Sequence, residues 1–263
     1  MIQVAVTGAC GKMGTLLIDN ILSADDLELV AAFDIVNIGD DVGDVNRFGH
    51  LDILISDPAD MVSVIKNTNT DVVIDFTIAS ASAENIIKVA KAGANLVVGT
   101  TGFTEDQITR IHRTIKDKEI SAIISPNFAV GVNVFWKLLE EAARYLGDFD
   151  IEIIEAHHNQ KKDAPSGTAV KAAEVINKVV GGRDYIYGRQ GLSPRRDEIG
   201  IHAIRGGDVV GDHTVLFFGD GERVEIRHQA HSRQAFAGGA INTLRWLMNQ
   251  PPGIYSMTDF LNF

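Results

Sequence analysis

Apolar residues fall in two rhythms along the chain. IQVAVTG (2–8), LELVAAFD (27–34), DVVIDFT (71–77), ANLVVGTT (94–101) and EISAIIS (119–125) are short apolar runs closing on glycine, threonine, serine or an acid. Runs of that length and ending suit strands buried on both faces. Between them, apolar positions recur at helical spacing over 11–22, 80–92 and 104–118, which predicts amphipathic helices. LDILISD (51–57) is a further candidate strand and 58–67 a candidate helix, while the Gly- and Asp-rich NIGDDVGDVNRFGH (37–50) reads as a surface loop. Strands alternating with helices predict an open parallel sheet with right-handed crossovers.

From about residue 129 the pattern changes. A helix over 131–146 leads into a strand, DIEIIEAHH (150–158), and a second helix runs from Ser166 to about Val179. IGIHAIR (199–205), HTVLFFGD (213–220) and RVEIRHQA (223–230) then read as strands with no helix between them, the last two joined by a Gly-Asp-Gly hairpin turn. Such an order predicts an antiparallel or mixed sheet. A final helix, 233–249, ends before Pro251-Pro252. The expected organisation is one α/β domain over 1–128, to which 241–263 returns, and a smaller α+β domain over 129–240.

The chain has 263 residues, 45% of them hydrophobic, enough for a sizeable core. A formal charge of −11 argues against a nucleic-acid partner, which would need a basic face. One cysteine precludes an intrachain disulfide and fits a reducing compartment. The opening MIQVAVTG lacks the basic and apolar regions of a signal peptide. No apolar run approaches the ~18 residues of a membrane span. A cytoplasmic protein is expected.

The first predicted strand ends in GACGKMG, which sets Gly8, Gly11 and Gly14 where a strand turns into a helix. Glycines there let the backbone approach a pyrophosphate, attracted by free N–H groups and the positive helix end. Asp34 closes the second strand, where a carboxylate would take the adenosine ribose hydroxyls. Together these predict a dinucleotide site. A carboxylate at 34, followed by uncharged Ile35 and Val36, favours NADH over NADPH, with Lys12 and Arg47 the cations able to soften that preference. GTTG (99–102) and SPNF (125–128) end two further strands, where ligands of such sheets bind, but on composition alone plain turn chemistry is the better explanation of both.

EAHHNQKKDAPSGTA (155–169) gathers cations and hydrogen-bond donors in an acidic protein. His157 and His158 end a strand and should point to opposite faces, and Lys161 and Lys162 would repel a cation, so no metal is expected. Taken singly, these residues fit a core histidine, a surface histidine and a solvated lysine pair. Ser166 is a plausible helix N-cap with Gly167 and Thr168 in the first turn, a place suited to a carboxylate. With His and Lys upstream, the segment suits a small acid bearing carboxylates and offers it proton donors.

The motif EAHHNQKKDAPSGTA, with GACGKMG, GTTG and SPNFAVGVN in that order, resembles the dihydrodipicolinate reductase family across essentially the whole chain. The resemblance implies a Rossmann-like cofactor domain and a mixed-sheet domain for substrate and tetramerisation. It implies reduction of hydroxy-tetrahydrodipicolinate to tetrahydrodipicolinate with NADH or NADPH, in a homotetramer. It makes His157 the proton donor and acceptor, Lys161 a second donor and His158 a substrate contact, with Ser166, Gly167 and Thr168 holding a carboxylate. Cofactor positions become Gly8, Ala9, Cys10, Gly11, Lys12, Met13, Asp34, Gly99, Thr100, Thr101, Ser125, Pro126, Asn127 and Phe128. Lys12 replaces the arginine usual in the family, and Ile35 replaces a common basic residue. Cys10 lies near a helix N-terminus, where a thiol can be unusually acidic: it is either a reactive group whose alkylation would block NADH binding or a small buried filler. Arg205 and Arg233 both remain candidates for a substrate carboxylate. The alternatives are a dehydrogenase of another small dicarboxylate or amino acid, and a dinucleotide-binding sensor without catalysis.

Overall fold

In the computed structural model, which describes residues 1–263, the apolar runs of the first half become strands. In chain order the elements are β1 (Ile2–Thr7), α1 (Lys12–Leu22), β2 (Leu27–Phe33), α2 (Val42–Asn46), β3 (Ile55–Ser56), α3 (Met61–Asn67), β4 (Val72–Asp75), α4 (Ala79–Ala92), β5 (Asn95–Val98), α5 (Glu105–Asp117) and β6 (Ser121–Ile124). There follow α6 (Val130–Tyr145), β7 (Asp150–His157), α7 (Gly167–Val180), β8 (Asp184–Tyr187), β9 (Glu198–Arg205), β10 (Gly211–Gly219) and β11 (Glu222–Ala230). The chain ends with α8 (Gln234–Leu247), β12 (Gly253–Tyr255) and α9 (Met257–Leu261). It divides into two units, Met1–Ala129 with Phe236–Phe263, and Val130–Ala235. No helix is long and apolar enough to cross a membrane.

The first unit is a seven-stranded sheet in the order β12-β6-β5-β4-β1-β2-β3, with every pairing parallel. Val4, Val6, Ile74 and Val97 face α1 and α8 through Leu17, Ile18, Ile241 and Leu244. Ala5, Val73, Leu96 and Ala122 face α3, α4 and α5 through Met61, Ile65, Ile86 and Ile111. Burial on both faces is why these strands read as unbroken apolar runs. β1 and β4 are neighbours although β2 follows β1, so the crossovers diverge there and leave the strands' carboxyl ends open to a ligand.

The second unit has a five-stranded sheet in the order β11-β10-β7-β9-β8. Only β10 and β11 form the expected hairpin; β9 pairs with β7 and β8 in parallel, so the sheet is mixed. Ile151, Ile153, Ile201, Val215 and Phe217 share its buried face, on which α6 and α7 pack. The opposite face carries Ile154, 37% exposed, and Ile204, 52% exposed.

Segment 37–50 is more than the expected surface loop. It holds α2, capped by Asp41, whose buried carboxylate accepts N–H bonds from Gly43, Asp44, Leu51 and Ile53. The strand expected over 51–57 shrinks to two residues, because Asp41 claims the amides that would otherwise join a ladder. β8 and β12 were invisible in the apolar pattern: each is a short edge strand following glycines or prolines.

Candidate functional site

In the first unit the candidate cofactor residues line the carboxyl ends of β1, β2, β5 and β6. Gly8 adopts φ +70°, a left-handed conformation, and its N–H donates to Phe33 O at 2.9 Å, tying the turn to the end of β2. A Cβ on Gly14 would lie 2.1 Å from Gly8 O, so only glycine lets α1 start this close to the loop. Gly11 is the N-cap and supplies no side-chain cap, which leaves the first amides of α1 without one. Lys12 is exposed and Met13 half-buried. Ala9 and Phe128 are buried, so each can offer a ligand only its backbone; the Phe128 ring packs on Phe76 at 5.6 Å.

Asp34 Oδ2 accepts from Cys10 N at 2.9 Å and Oδ1 from Ile35 N at 2.7 Å. A cavity of about 430 Å³ opens beside it, lined in part by Gly8, Phe33, Asp34, Ile35 and Thr77, a size and lining that suit an adenosine. At Cys10 the acidic alternative finds no support. Burial, and then the neighbouring Asp34 carboxylate, push its pKa up despite a hydrogen bond from Asn37. The helix end cannot compensate for an anion already at 2.9 Å from the same residue's amide.

Two supports of these loops escaped sequence reasoning. Buried Asp75, at the end of β4, accepts from Thr77 N and Oγ1, Thr100 Oγ1 and Asn85 Nδ2. It thereby fixes Thr100 of the GTTG turn. Asn46 on α2 donates to Ala9 O at 3.2 Å and lies 2.6 Å from the Thr15 hydroxyl, which holds the glycine loop from outside. Their only sequence signals were an acid inside an apolar strand and an Asn in a polar segment.

In the second unit, β7 delivers His157 to the amino end of α7. His157 is 8% exposed and its Nδ1 lies 2.6 Å from Glu155 Oε2. Glu155 is 0% exposed and also accepts both terminal nitrogens of Arg205 at 2.8 Å and the Ser166 amide at 2.9 Å. Burial pushes its carboxyl up, but the bonds from His157, Arg205 and Ser166 outweigh that and hold it at about 2. His213 meets His157 edge-on at 5.1 Å, and burial lowers its pKa to about 3, so it stays neutral.

Ser166 caps α7 as expected, its Oγ accepting from Ala169 N at 3.3 Å. It is 2% exposed, its amide is taken by Glu155, and its hydroxyl lies 3.1 Å from His213 Nε2. Gly167, exposed at this helix end, has room beside it, and a Cβ there would meet nothing within 4 Å; Thr168 next to it is half-buried. Lys161 Nζ sits 2.9 Å from Asp163 Oδ1. Burial raises the Asp163 carboxyl, but Lys161 outweighs it and the net shift is downward. Of the two candidate arginines, Arg205 is committed to Glu155, whereas Arg233 NH2 lies 3.4 Å from His158 Nε2.

Family models match both parts of the chain: "Dihydrodipicolinate reductase, N-terminus" over residues 2–128 and "Dihydrodipicolinate reductase, C-terminus" over residues 131–261. The chain is 60% identical over 261 residues to a 4-hydroxy-tetrahydrodipicolinate reductase of Methanococcoides burtonii, covering 99% of each. It is 51% identical to the protein of that name from Methanocaldococcus jannaschii, covering 99% of this chain and 97% of that one. Among solved structures, a dipicolinate-bound dihydrodipicolinate reductase from Paenisporosarcina sp. TG-14 superposes with a TM-score of 0.79 at 30% identity, covering 97% of both chains. A probable dehydrogenase from Thermotoga maritima, 14% identical with a TM-score of 0.66, shares the fold; 98% of this chain and 92% of that one are covered.

Proposed function

The chain belongs to the dihydrodipicolinate reductase family, and from that membership we propose that it reduces 4-hydroxy-tetrahydrodipicolinate to tetrahydrodipicolinate, with loss of water, in diaminopimelate and lysine biosynthesis. The observation that supports the assignment is a buried histidine braced by a buried carboxylate beside the exposed Gly167 at the amino end of α7.

The dinucleotide, when bound, supplies the hydride. Its phosphates are assigned to the Gly8–Met13 loop at the start of α1, its adenosine ribose to Asp34, and its remaining contacts to Gly99–Thr101 and the Ser125–Phe128 backbone. Asp34, with no cation at 35 or 36, repels a 2′-phosphate, so NADH is the favoured cofactor. The Paenisporosarcina relative was solved with dipicolinate, a pyridine diacid, and a diacid of that class fits the amino end of α7. Gly167 and Thr168 take one carboxylate there, and Lys161 and Arg233 add positive charge. Ser166 holds the helix end in place. As hydride enters the conjugated ring, negative charge builds toward the ring nitrogen, and His157 or Lys161 supplies the proton that neutralises it. The open face of the second unit's sheet, bearing Ile154 and Ile204, is the proposed surface for a homotetramer. The proposed location is the cytoplasm, with neither nucleic acid nor membrane as partner.

The test is NADH consumption. The hydroxylated substrate, generated in place from its precursors, should oxidise NADH, while a panel of other imino and keto acids should not. Comparable turnover on one of those acids would reassign the enzyme.

A further inference from the structure

Glu155 is fully buried and Arg205 is largely spent on it, and the pair converges on the one histidine assigned to proton transfer. Glu155 lies two residues before His157 on β7 and points to the same face. Its two oxygens receive four hydrogen bonds: His157 Nδ1 at 2.6 Å and Arg205 NH1 at 2.8 Å on Oε2, Arg205 NH2 at 2.8 Å and Ser166 N at 2.9 Å on Oε1. Arg205 is itself held by Asp163 O at 2.6 Å and Ile204 O at 2.7 Å, so the guanidinium cannot swing away without losing several bonds.

We propose that Glu155 and Arg205 are positioning residues that fix the tautomer of His157 and balance its basicity. An ionised carboxylate only accepts, so Nδ1 must carry a hydrogen in the neutral ring as well as in the cation. Proton exchange is thereby confined to Nε2. An unshared carboxylate in a dry site would also stabilise the imidazolium and make His157 a reluctant donor. Arg205 offsets this by neutralising most of the Glu155 charge through a two-pronged bond. His213 on β10 meets the ring, Asp212 and His228 act in turn on His213, and the Lys161–Asp163 pair lies in the turn after β7. The pairing also explains why a buried charge sits in an apolar strand: it specifies a proton position that an apolar residue could not.

The inference rests on His157 being the proton donor, and two readouts separate the two ideas. In protein labelled with ¹⁵N-histidine, with the His157 signal assigned through His157→Gln, neutral His157 should show a protonated Nδ1 and a bare Nε2. Glu155→Gln should convert this to a mixture. A wild-type ring protonated at Nε2, or a tautomer unchanged in Glu155→Gln, would overturn the positioning role whatever the activity. In kcat/KM against pH, the limb falling toward high pH should move to lower pH in Glu155→Gln and to higher pH in Arg205→Gln, by about one unit or more. A merely structural pair would lower the rate without moving the limb in opposite directions, and that result also overturns the proposal. A tautomer that changes while turnover does not would keep the positioning role and instead refute His157 as donor.

Discussion

Glu155 and His213 are buried titratable groups whose folded pKa values are both lowered, and both tie stability to pH. The unfolded chain binds a proton at His213 below about 6.5 that the folded protein refuses until about 3. Its contribution is present above pH 6.5 and is lost as pH falls through that window. At about pH 4.5 the loss should be about 2–3 kcal/mol relative to about pH 7. Glu155 adds a second loss between 4.5 and about 2. Urea unfolding followed by Trp136, with Trp246 replaced by Phe, should show the His213 slope, and His213→Gln should flatten it. Gly211 makes a second prediction. A Cβ there would stand 3.1 Å from His157 Nε2, the nitrogen assigned to proton delivery. Gly211→Ala should cut kcat by about one to two orders of magnitude while leaving the NADH Kd unchanged. Residue types alone marked the Ser166 cap, whereas His157 and Lys161 stood out only through the family resemblance of their segment. Neither signal disclosed that Ser166 faces inward, or that Arg205, 50 positions from Glu155, closes the network, because such partners meet only through strand pairing.

At the scale of elements, the glycine loop depends on α1 starting against it. Gly14→Ala would force its Cβ to within 2.1 Å of Gly8 O and 2.8 Å of Ala9 Cα, so the helix must back away. The expected outcome is a stability loss of about 1–3 kcal/mol and at least about tenfold weaker NADH binding in a fluorescence titration. On the open face of the second sheet, Ile204→Asp should yield smaller assemblies in sedimentation velocity; an unchanged assembly would place the contact elsewhere. Periodicity sufficed for β1, β2, β4, β5 and β6, because strands buried on both faces leave a continuous apolar record. It failed at α2, whose five residues are held by the Asp41 carboxylate more than by an apolar stripe. It failed also at β8 and β12, where edge pairing asks little of side chains.

For the whole molecule, strand spacing indicated a change of architecture near residue 129 but not the pairing beyond it. β9 bonds to β7, far earlier in the chain, and only the partner's identity could have shown a parallel neighbour. α8 likewise supplies Ile241 and Leu244 to the first unit's core, a debt the apolar stripe records without naming its creditor. The chemistry assigned to the molecule unites a hydride donor with a proton from His157, and one experiment addresses that union directly. NADH absorbance is followed at saturating hydroxylated substrate for the parent and His157→Gln, with the NADH Kd measured for each. Turnover should fall by about 100-fold or more while the NADH Kd stays within about twofold. Retained turnover, or a loss confined to NADH affinity, would contradict the account.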